Sequence, residues 1–198
     1  VKLEEGTETP LEGAVFSVYD PEGRRVGSYS TGPEGTVLIP LTLEGHYTVT
    51  EEIPPRYHLL PEETTQHADV EYNKTATLTF WNAPYGSLRV EKWSDTGDAL
   101  SGVTIQIKHI ETGETRTEQT RNGVAFFDQL APGGWEVREL AGIDGWVADT
   151  DTVQTVAVVS GEESTATFIN KELPGLRIIK YERGSMELMP GVSFEIFR

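Results

Sequence analysis

Apolar residues alternate with polar ones over short stretches of the chain, as they do in strands that bury one face. Three stretches show the alternation: Ala14, Phe16 and Val18; Val103, Ile105 and Ile107; and Val192, Phe194 and Ile196. Turn-forming groups such as Arg121-Asn122-Gly123 separate the stretches at intervals of about 8–12 residues. No convincing helical period with caps is present. The pattern predicts an all-β fold of sandwich type.

The chain also repeats itself with a spacing of 88 positions. Thr79-Phe80-Trp81-Asn82 recurs as Thr167-Phe168-Ile169-Asn170, and Leu88-Arg89-Val90-Glu91-Lys92 recurs as Leu176-Arg177-Ile178-Ile179-Lys180. Repeats of this length are whole small domains. We therefore predict repeat one at 1–84, repeat two at 85–173, and the incomplete start of a third repeat at 174–198, called the stub. The short linkers, which contain Pro84 and Pro174, predict tandem sandwiches arranged end to end.

Three polar residues stand at the ends of apolar series that alternation places on inward faces. Because residues i, i+2 and i+4 of a strand share a face, each of these polar side chains is expected to point into the core. The series in repeat two are Leu88, Val90 and Lys92; Trp135, Val137 and Glu139; and Ala166, Phe168 and Asn170. Repeat one has Tyr47, Val49 and Glu51, then Leu78, Phe80 and Asn82, and the stub has Leu176, Ile178 and Lys180.

A buried lysine beside a buried glutamate can react with an asparagine. Burial disfavours both charges, and a neutral amine is a nucleophile. A protonated glutamic acid can polarise the carboxamide and carry protons, so the amine can displace ammonia and leave an isopeptide bond. The bond would form once and would not turn over. A buried Lys–Glu ion pair with a hydrogen-bonded Asn, and no covalent chemistry, explains the same alternation.

Composition excludes several classes of function. The 198 residues include 16 Lys and Arg against 32 Asp and Glu, which gives a net charge of −16 and argues against nucleic acid or anionic lipid as partner. The chain has no Cys, so no disulfide or thiol nucleophile is available, and no apolar run is long enough to span a membrane. It starts at Val1 without Met and ends in a strand-like run, which we expect of an internal fragment.

The ordered motifs resemble the Cna B-type repeat family, the prealbumin-like sandwich modules of Gram-positive surface adhesins and pilins. The matching stretches are Pro10-Leu11-Glu12-Gly13-Ala14-Val15-Phe16, Gly45-His46-Tyr47-Thr48-Val49-Thr50-Glu51, Leu100-Ser101-Gly102-Val103, Gly134-Trp135-Glu136-Val137-Arg138-Glu139 and the two Thr-Phe-x-Asn strands. The resemblance implies that the first-strand Lys is linked to the last-strand Asn with help from the Glu. Carried over by position, the triads are Lys2–Glu51–Asn82 and Lys92–Glu139–Asn170, with Glu51 and Glu139 catalytic.

The resemblance implies a structural stalk segment of an extracellular, cell-wall-anchored or surface-associated protein, with neighbouring domains of the same protein as partners. We expect a monomer without a cofactor. Lys180 should stay unlinked, because no Glu or Asn partner follows it. A Leu-Pro-x-Thr-Gly sorting signal is missing, so a polymerising role has no support. Two other classes stay open: a module that binds a host matrix or glycan ligand, and an accessory domain of an extracellular enzyme.

Other residues of chemical interest are better explained without a site. The four histidines, His46, His58, His67 and His109, lack metal-ligand spacing and are predicted to lie on the surface. Asp149-Thr150-Asp151 resembles half of a calcium loop but lacks the Gly and Glu that complete one. Trp135 is predicted to point inward, and Trp81, Trp93 and Trp146 are expected to pack near strand ends.

Overall fold

The computed structural model describes residues 1–148 and 153–196, and this part of the chain contains fourteen strands and no helix. No helix long and apolar enough to cross a membrane therefore occurs in it. The all-β prediction is confirmed. The strands are β1 (Lys2–Glu4), β2 (Val15–Tyr19), β3 (Arg25–Ser30), β4 (Gly45–Ile53), β5 (Thr65–Val70), β6 (Phe80–Asn82), β7 (Gly86–Ser94), β8 (Thr104–His109), β9 (Thr115–Gln119), β10 (Val124–Leu130), β11 (Gly133–Ala141), β12 (Trp146–Ala148), β13 (Val153–Val158) and β14 (Glu163–Glu172).

Repeat two is a sandwich of two four-stranded sheets. One sheet has the order β10-β7-β14-β12 and the other β13-β11-β8-β9. Its first strand β7 and last strand β14 are parallel neighbours, whereas its other strand pairs are antiparallel. The inward residues of both sheets form a continuous core that includes Leu88, Ile105, Phe127, Trp135 and Phe168. The prediction that Trp135 points inward is confirmed, because its side chain is wholly buried.

Repeat one follows the same plan with a smaller second sheet. Strands β3-β2-β4-β5 form a four-stranded sheet, and β1 pairs in parallel with β6 in a two-stranded sheet. The buried core cluster is also smaller than in repeat two, and consists of Ala14, Phe16 and Phe80 with Val49 and Leu78 packed against it. In both repeats the first and last strands therefore lie side by side.

The stub contains no strand among its described residues, 174–196. A bridge between Tyr181 and Leu188 closes a turn around Gly184, which has a positive φ of 101°. The strand predicted from the alternation of Val192, Phe194 and Ile196 is wrong, because these residues are exposed coil. Two short strands have no facing layer on which to bury their apolar side chains, so alternation alone does not hold them in a sheet.

The prediction of surface histidines fails at His109. This residue is 3% exposed, and its ring meets Trp135 edge to face at 4.9 Å. Its Nδ1 accepts the backbone N–H groups of Glu111 and Thr112, each at 3.2 Å. The imidazole thus binds the β8–β9 turn from its buried side. The spacing of the histidines in the sequence gives no sign of this role. Among the described residues, no group of His, Cys, Asp and Glu is arranged to hold a metal ion.

Candidate functional site: two buried lysine, glutamate and asparagine triads

In repeat two, a lysine, a glutamate and an asparagine meet at one end of the core. Lys92 lies on β7 and pairs with Phe168 of β14, and Asn170 follows two residues later on the same face. Glu139 lies on β11, in the facing sheet, and reaches across the sandwich. The parallel pairing of β7 and β14 therefore sets the lysine diagonally opposite the asparagine, within side-chain reach.

The three side chains of repeat two form a closed set of contacts. Lys92 Nζ donates a hydrogen bond to Asn170 Oδ1 and lies 3.0 Å from Glu139 Oε2. Asn170 Nδ2 donates to Glu139 Oε1 at 3.1 Å. Glu139 Oε2 accepts no hydrogen bond from the described residues. Its contact with Lys92 Nζ therefore has the distance of an ion pair but not the angles of a hydrogen bond. One carboxyl oxygen thus faces the amine and the other faces the amide nitrogen.

Repeat one has the same arrangement, drawn from β1, β4 and β6. Lys2 Nζ donates to Glu51 Oε2 at 3.0 Å and contacts Asn82 Oδ1. Asn82 Nδ2 donates to Glu51 Oε1 at 2.7 Å. Since the two triads share no residue, the same geometry arises twice from separate stretches of sequence.

Both lysines are removed from water. Lys2, Asn82, Lys92 and Asn170 are 0% exposed and Glu51 is 1% exposed, while Glu139 is partly buried. Burial lowers the pKa of the Lys2 and Lys92 amines, and the neighbouring glutamate opposes that shift in each repeat. The shift favours the uncharged amine, which is the nucleophilic form.

A β-bulge follows the glutamate in each repeat. In repeat two the pairing of β11 with β8 shifts between Glu139 and Ala141, so Leu140 is the extra residue. In repeat one Phe16 pairs with Glu51 and Val15 with Ile53, which leaves Glu52 extra. A bulge bends its strand and re-aims nearby side chains. The exposed Leu140 and Glu52 therefore mark the point where the inward series ends and the glutamate turns across the core.

A glycine turn holds the backbone of each lysine. Lys2 N donates to Gly35 O at 2.6 Å, and Lys92 N donates to Gly123 O at 2.7 Å. A Cβ on Gly35 would lie 2.4 Å from Lys2 O, and one on Gly123 would lie 3.0 Å from Lys92 O. Both glycines also have positive φ, at 64° and 76°. In each repeat the glycine therefore lets its turn approach the backbone of the lysine closely, and the resulting hydrogen bond fixes the position of the lysine.

A buried threonine that the sequence patterns did not single out supports this corner in each repeat. Thr31 Oγ1 donates to Leu11 O at 2.8 Å and accepts Ala14 N at 3.1 Å. Thr120 makes the matching pair of bonds in repeat two: its Oγ1 donates to Leu100 O at 2.7 Å and accepts Val103 N, just before β8, at 3.1 Å. The two threonines recur with nearly the spacing of the glycines, and that recurrence was the available signal.

The remaining candidates lie away from the triads. Lys180 is exposed and makes no side-chain hydrogen bond or ion pair with the described residues. Trp81 is 47% exposed, while Trp146 packs against the core of repeat two. Asp149-Thr150-Asp151 lies outside the residues that the structure describes.

The chain matches one protein-family model twice. The family is described as SpaA, prealbumin-like fold domain, and the matches cover residues 1–84 and 86–172. A search of curated protein sequences finds no match to the chain.

Several solved structures have a similar fold. A Streptococcal ancillary pilin is 16% identical with a TM-score of 0.50, over 88% of this chain and 61% of that one. A variant of the shaft pilin SpaA from Lactobacillus rhamnosus GG is 12% identical with a TM-score of 0.50, over 85% and 91%. The Bacillus anthracis TIE protein is 23% identical with a TM-score of 0.45, over 87% and 33%, so this chain spans about a third of its length. At these identities the likeness concerns the fold.

Proposed function

Because the chain belongs to the SpaA prealbumin-like fold domain family, we propose that it is a structural stalk segment of a Gram-positive surface adhesin or pilus-like protein. In this proposal residues 1–84 and 85–173 are tandem domains, each locked by a Lys–Asn isopeptide bond. The observation that carries the proposal is the buried Lys–Glu–Asn triad, which joins the first strand, the last strand and the facing sheet in both repeats. The proposed location is extracellular.

The proposed reaction uses the two glutamate oxygens in turn. A proton passes from the lysine ammonium to the nearer oxygen, which leaves a neutral amine and a neutral acid. The amine nitrogen attacks Cγ of the asparagine, so the Nζ–Cγ bond forms. The glutamic acid protonates Nδ2, the Cγ–Nδ2 bond breaks and ammonia leaves. The second amine proton returns to the glutamate. In the net reaction an ammonium, a carboxylate and a carboxamide are consumed, and an isopeptide amide, a carboxylic acid and ammonia are formed.

The distances support these roles. In repeat one the carboxyl of Glu51 lies 3.0 Å from the attacking Nζ and 2.7 Å from the leaving Nδ2, through different oxygens. In repeat two the corresponding distances to Glu139 are 3.0 and 3.1 Å. A general acid–base must reach the proton it moves within about 2.6–3.2 Å, and both glutamates do so. Fixed contact of the reactants supplies the effective concentration.

A bond at this place would serve a mechanical function. Strands β7 and β14 are parallel neighbours at the two ends of repeat two, and β1 and β6 are so in repeat one. Tension applied through the ends of a domain pulls on these strands first. A covalent tie between them carries the load across the domain without unzipping the sheet. Since each site reacts once, the chain is not an enzyme in the sense of turnover.

Intact-protein mass spectrometry tests the proposal directly. The protein should weigh less than its sequence by two molecules of ammonia, because each triad expels one. Lys2→Met and Lys92→Met variants should each lose only one, and Lys180→Met, the matched exposed control, should still lose two. A mass equal to that of the sequence would leave only the ion-pair alternative. Peptide mapping should find Lys2 joined to Asn82 and Lys92 joined to Asn170, with Lys180 unmodified.

A further inference from the structure

A glutamine on an edge strand of each repeat donates a hydrogen bond to the segment that carries the triad asparagine. Gln66 lies on β5, and its Nε2 donates to Thr79 O at 2.9 Å. Gln154 lies on β13, and its Nε2 donates to Thr167 O at 2.7 Å. The two glutamines are 88 positions apart, as are the two threonines. The contact therefore recurs with the same spacing as the triad glutamates and asparagines.

Each glutamine belongs to the sheet that carries the triad glutamate. Gln154 pairs with Val137 of β11, and Glu139 follows Val137 by two residues on the same strand. Gln66 pairs with Val49 of β4 in the same way. Directly paired residues of an antiparallel sheet project from the same face, and both valines face inward. Both glutamine side chains therefore point into the sandwich, at its open side.

The carbonyl that accepts this bond in repeat two points away from the lysine strand. Asn170 O accepts Asp95 N at the end of β7, so alternation along β14 turns Thr167 O to the opposite side. Within the part of the chain that the structure describes, no strand pairs with Thr167 on that side, because β12 pairs only with the last three residues of β14. The glutamine therefore takes the place of a missing strand partner.

The triad depends on two separations, and the pairing of strands sets only one of them. Lys92 and Asn170 lie on neighbouring strands, and their parallel pairing fixes the separation between them. Glu139 lies in the facing sheet, and its 3.1 Å contact with Asn170 Nδ2 spans the two sheets. Gln154 joins the same two sheets at Thr167, three residues before the asparagine. It therefore limits the separation between the glutamate carboxyl and the amide nitrogen.

We propose that Gln66 and Gln154 are positioning residues for isopeptide formation, and that they hold the asparagine strand at the distance from the facing sheet that the glutamate requires. This role rests on the function proposed above. Each glutamine is bonded to a backbone carbonyl and not to a reacting atom, so it acts through the strand that carries the asparagine. Loss of its N–H donor should slow bond formation in its own repeat and leave the other repeat unchanged.

The test follows linking from an unlinked chain. Full-length protein dissolved in urea from inclusion bodies, with the intact mass of the sequence, has no assembled triad, and dilution into buffer starts folding and linking. Samples quenched with acid give the loss of ammonia by intact mass, and peptide mapping assigns that loss to one repeat or the other. Circular dichroism of the same dilution measures folding separately.

Replacing Gln154 by Met keeps the length of the side chain and removes the donor. The bond of repeat two should form at least about 10-fold more slowly, because a displacement of about 1 Å can cost about 100-fold in rate. The bond of repeat one should keep its rate, and Gln66→Met should give the reverse result. Gln119→Met is the matched control. It changes an exposed glutamine on β9, the other edge strand of the same sheet, and should alter neither rate.

Replacing Gln154 by Glu separates positioning from general stability. An ionised glutamate cannot donate to Thr167 O, whereas the protonated acid can. At each pH the linking rate of repeat two is divided by that of the unsubstituted chain. This ratio should be low at pH 7 and should rise towards one as the pH falls below about 4.3, where the new side chain becomes protonated. For Gln154→Met the ratio should stay low throughout.

The outcomes separate this role from the proposed reaction. If Gln154→Met links as fast as the unsubstituted chain, the positioning role is wrong and the proposed reaction stands. A ratio for Gln154→Glu that does not change with pH, or a delay in linking that matches a delay in folding, would assign the glutamine to general stability and overturn the inference. If the unsubstituted chain loses no ammonia after it folds, the proposed reaction and the positioning role both fail.

Discussion

Replacing Lys92 by Met tests the covalent interpretation against the ionic one in a single variant. The methionine side chain is flexible and unbranched, so it can fill the space of the lysine stem within the core. The variant lacks the amine and therefore cannot form a bond to Asn170. Glu139 and Asn170 keep the hydrogen bond between them, so the corner retains most of its polar contacts.

The two interpretations predict different changes in stability. Lys92 and Asn170 are 78 positions apart in sequence, and a cross-link that closes a loop of about 80 residues removes unfolded-state entropy worth about 4.5 kcal/mol. For a domain of this size, that corresponds to a melting temperature lower by about 20–35 °C in the variant. If the triad is only an ion pair, replacement of the buried lysine by an apolar side chain is often neutral or stabilising.

Calorimetry on the two-repeat protein provides the assay, because repeat one is an internal reference. The transition of repeat two should fall in Lys92→Met while that of repeat one stays, since the two triads share no residue and distant sites are nearly additive. Lys180→Met changes an exposed lysine in the same Leu-x-x-x-Lys context and should move neither transition by more than a few degrees. A Lys92→Met transition within a few degrees of that control would refute the covalent reasoning.

Three further predictions concern the glutamate, pH and domain arrangement. Glu139→Ala should leave repeat two unlinked and retain one ammonia by intact mass, whereas loss of both ammonias would exclude the proton-shuttle role. Burial lowers the pKa of Lys92 in the folded protein below its value in the unfolded protein. At a pH between these two values, an unlinked Asn170→Ala protein therefore binds fewer protons when folded than when unfolded. Its free energy of unfolding by urea should rise with pH there, more than in a Lys92→Met, Asn170→Ala protein. Solution scattering should show an elongated particle, and a compact one would contradict the stalk.

Periodicity and repetition were sufficient to predict the fold class and the burial of most triad residues. The inward series Leu88, Val90 and Lys92 is wholly buried, and the same alternation in a second, independent repeat made chance an inadequate explanation. Alternation gives the face of a strand but not its partner. Alternation alone therefore could not pair a lysine with a glutamate on the opposite sheet, a grouping that came only from the family resemblance, and the bulge after Glu139 was visible only in the structure.

Other features were beyond the reach of sequence patterns for identifiable physical reasons. His109 is buried because its ring nitrogen closes a turn from within, and a single histidine carries no periodic signal of that use. The alternation in 192–196 predicted a strand where the structure has coil, because a strand needs a partner and a facing layer as well as a pattern.

The triads are easier to understand as reactants than as permanent ion pairs. A charged lysine and glutamate at the end of an apolar core lose their hydration, and the attraction between them restores only part of that free energy. Conversion to an amide and a neutral acid would remove both charges from the core and release the asparagine amide nitrogen as ammonia. The contacts that are costly for a static structure are those that bring an amine, a proton carrier and a carboxamide together out of water. Polar residues that violate the core pattern in both repeats are therefore best explained by the bond they can form.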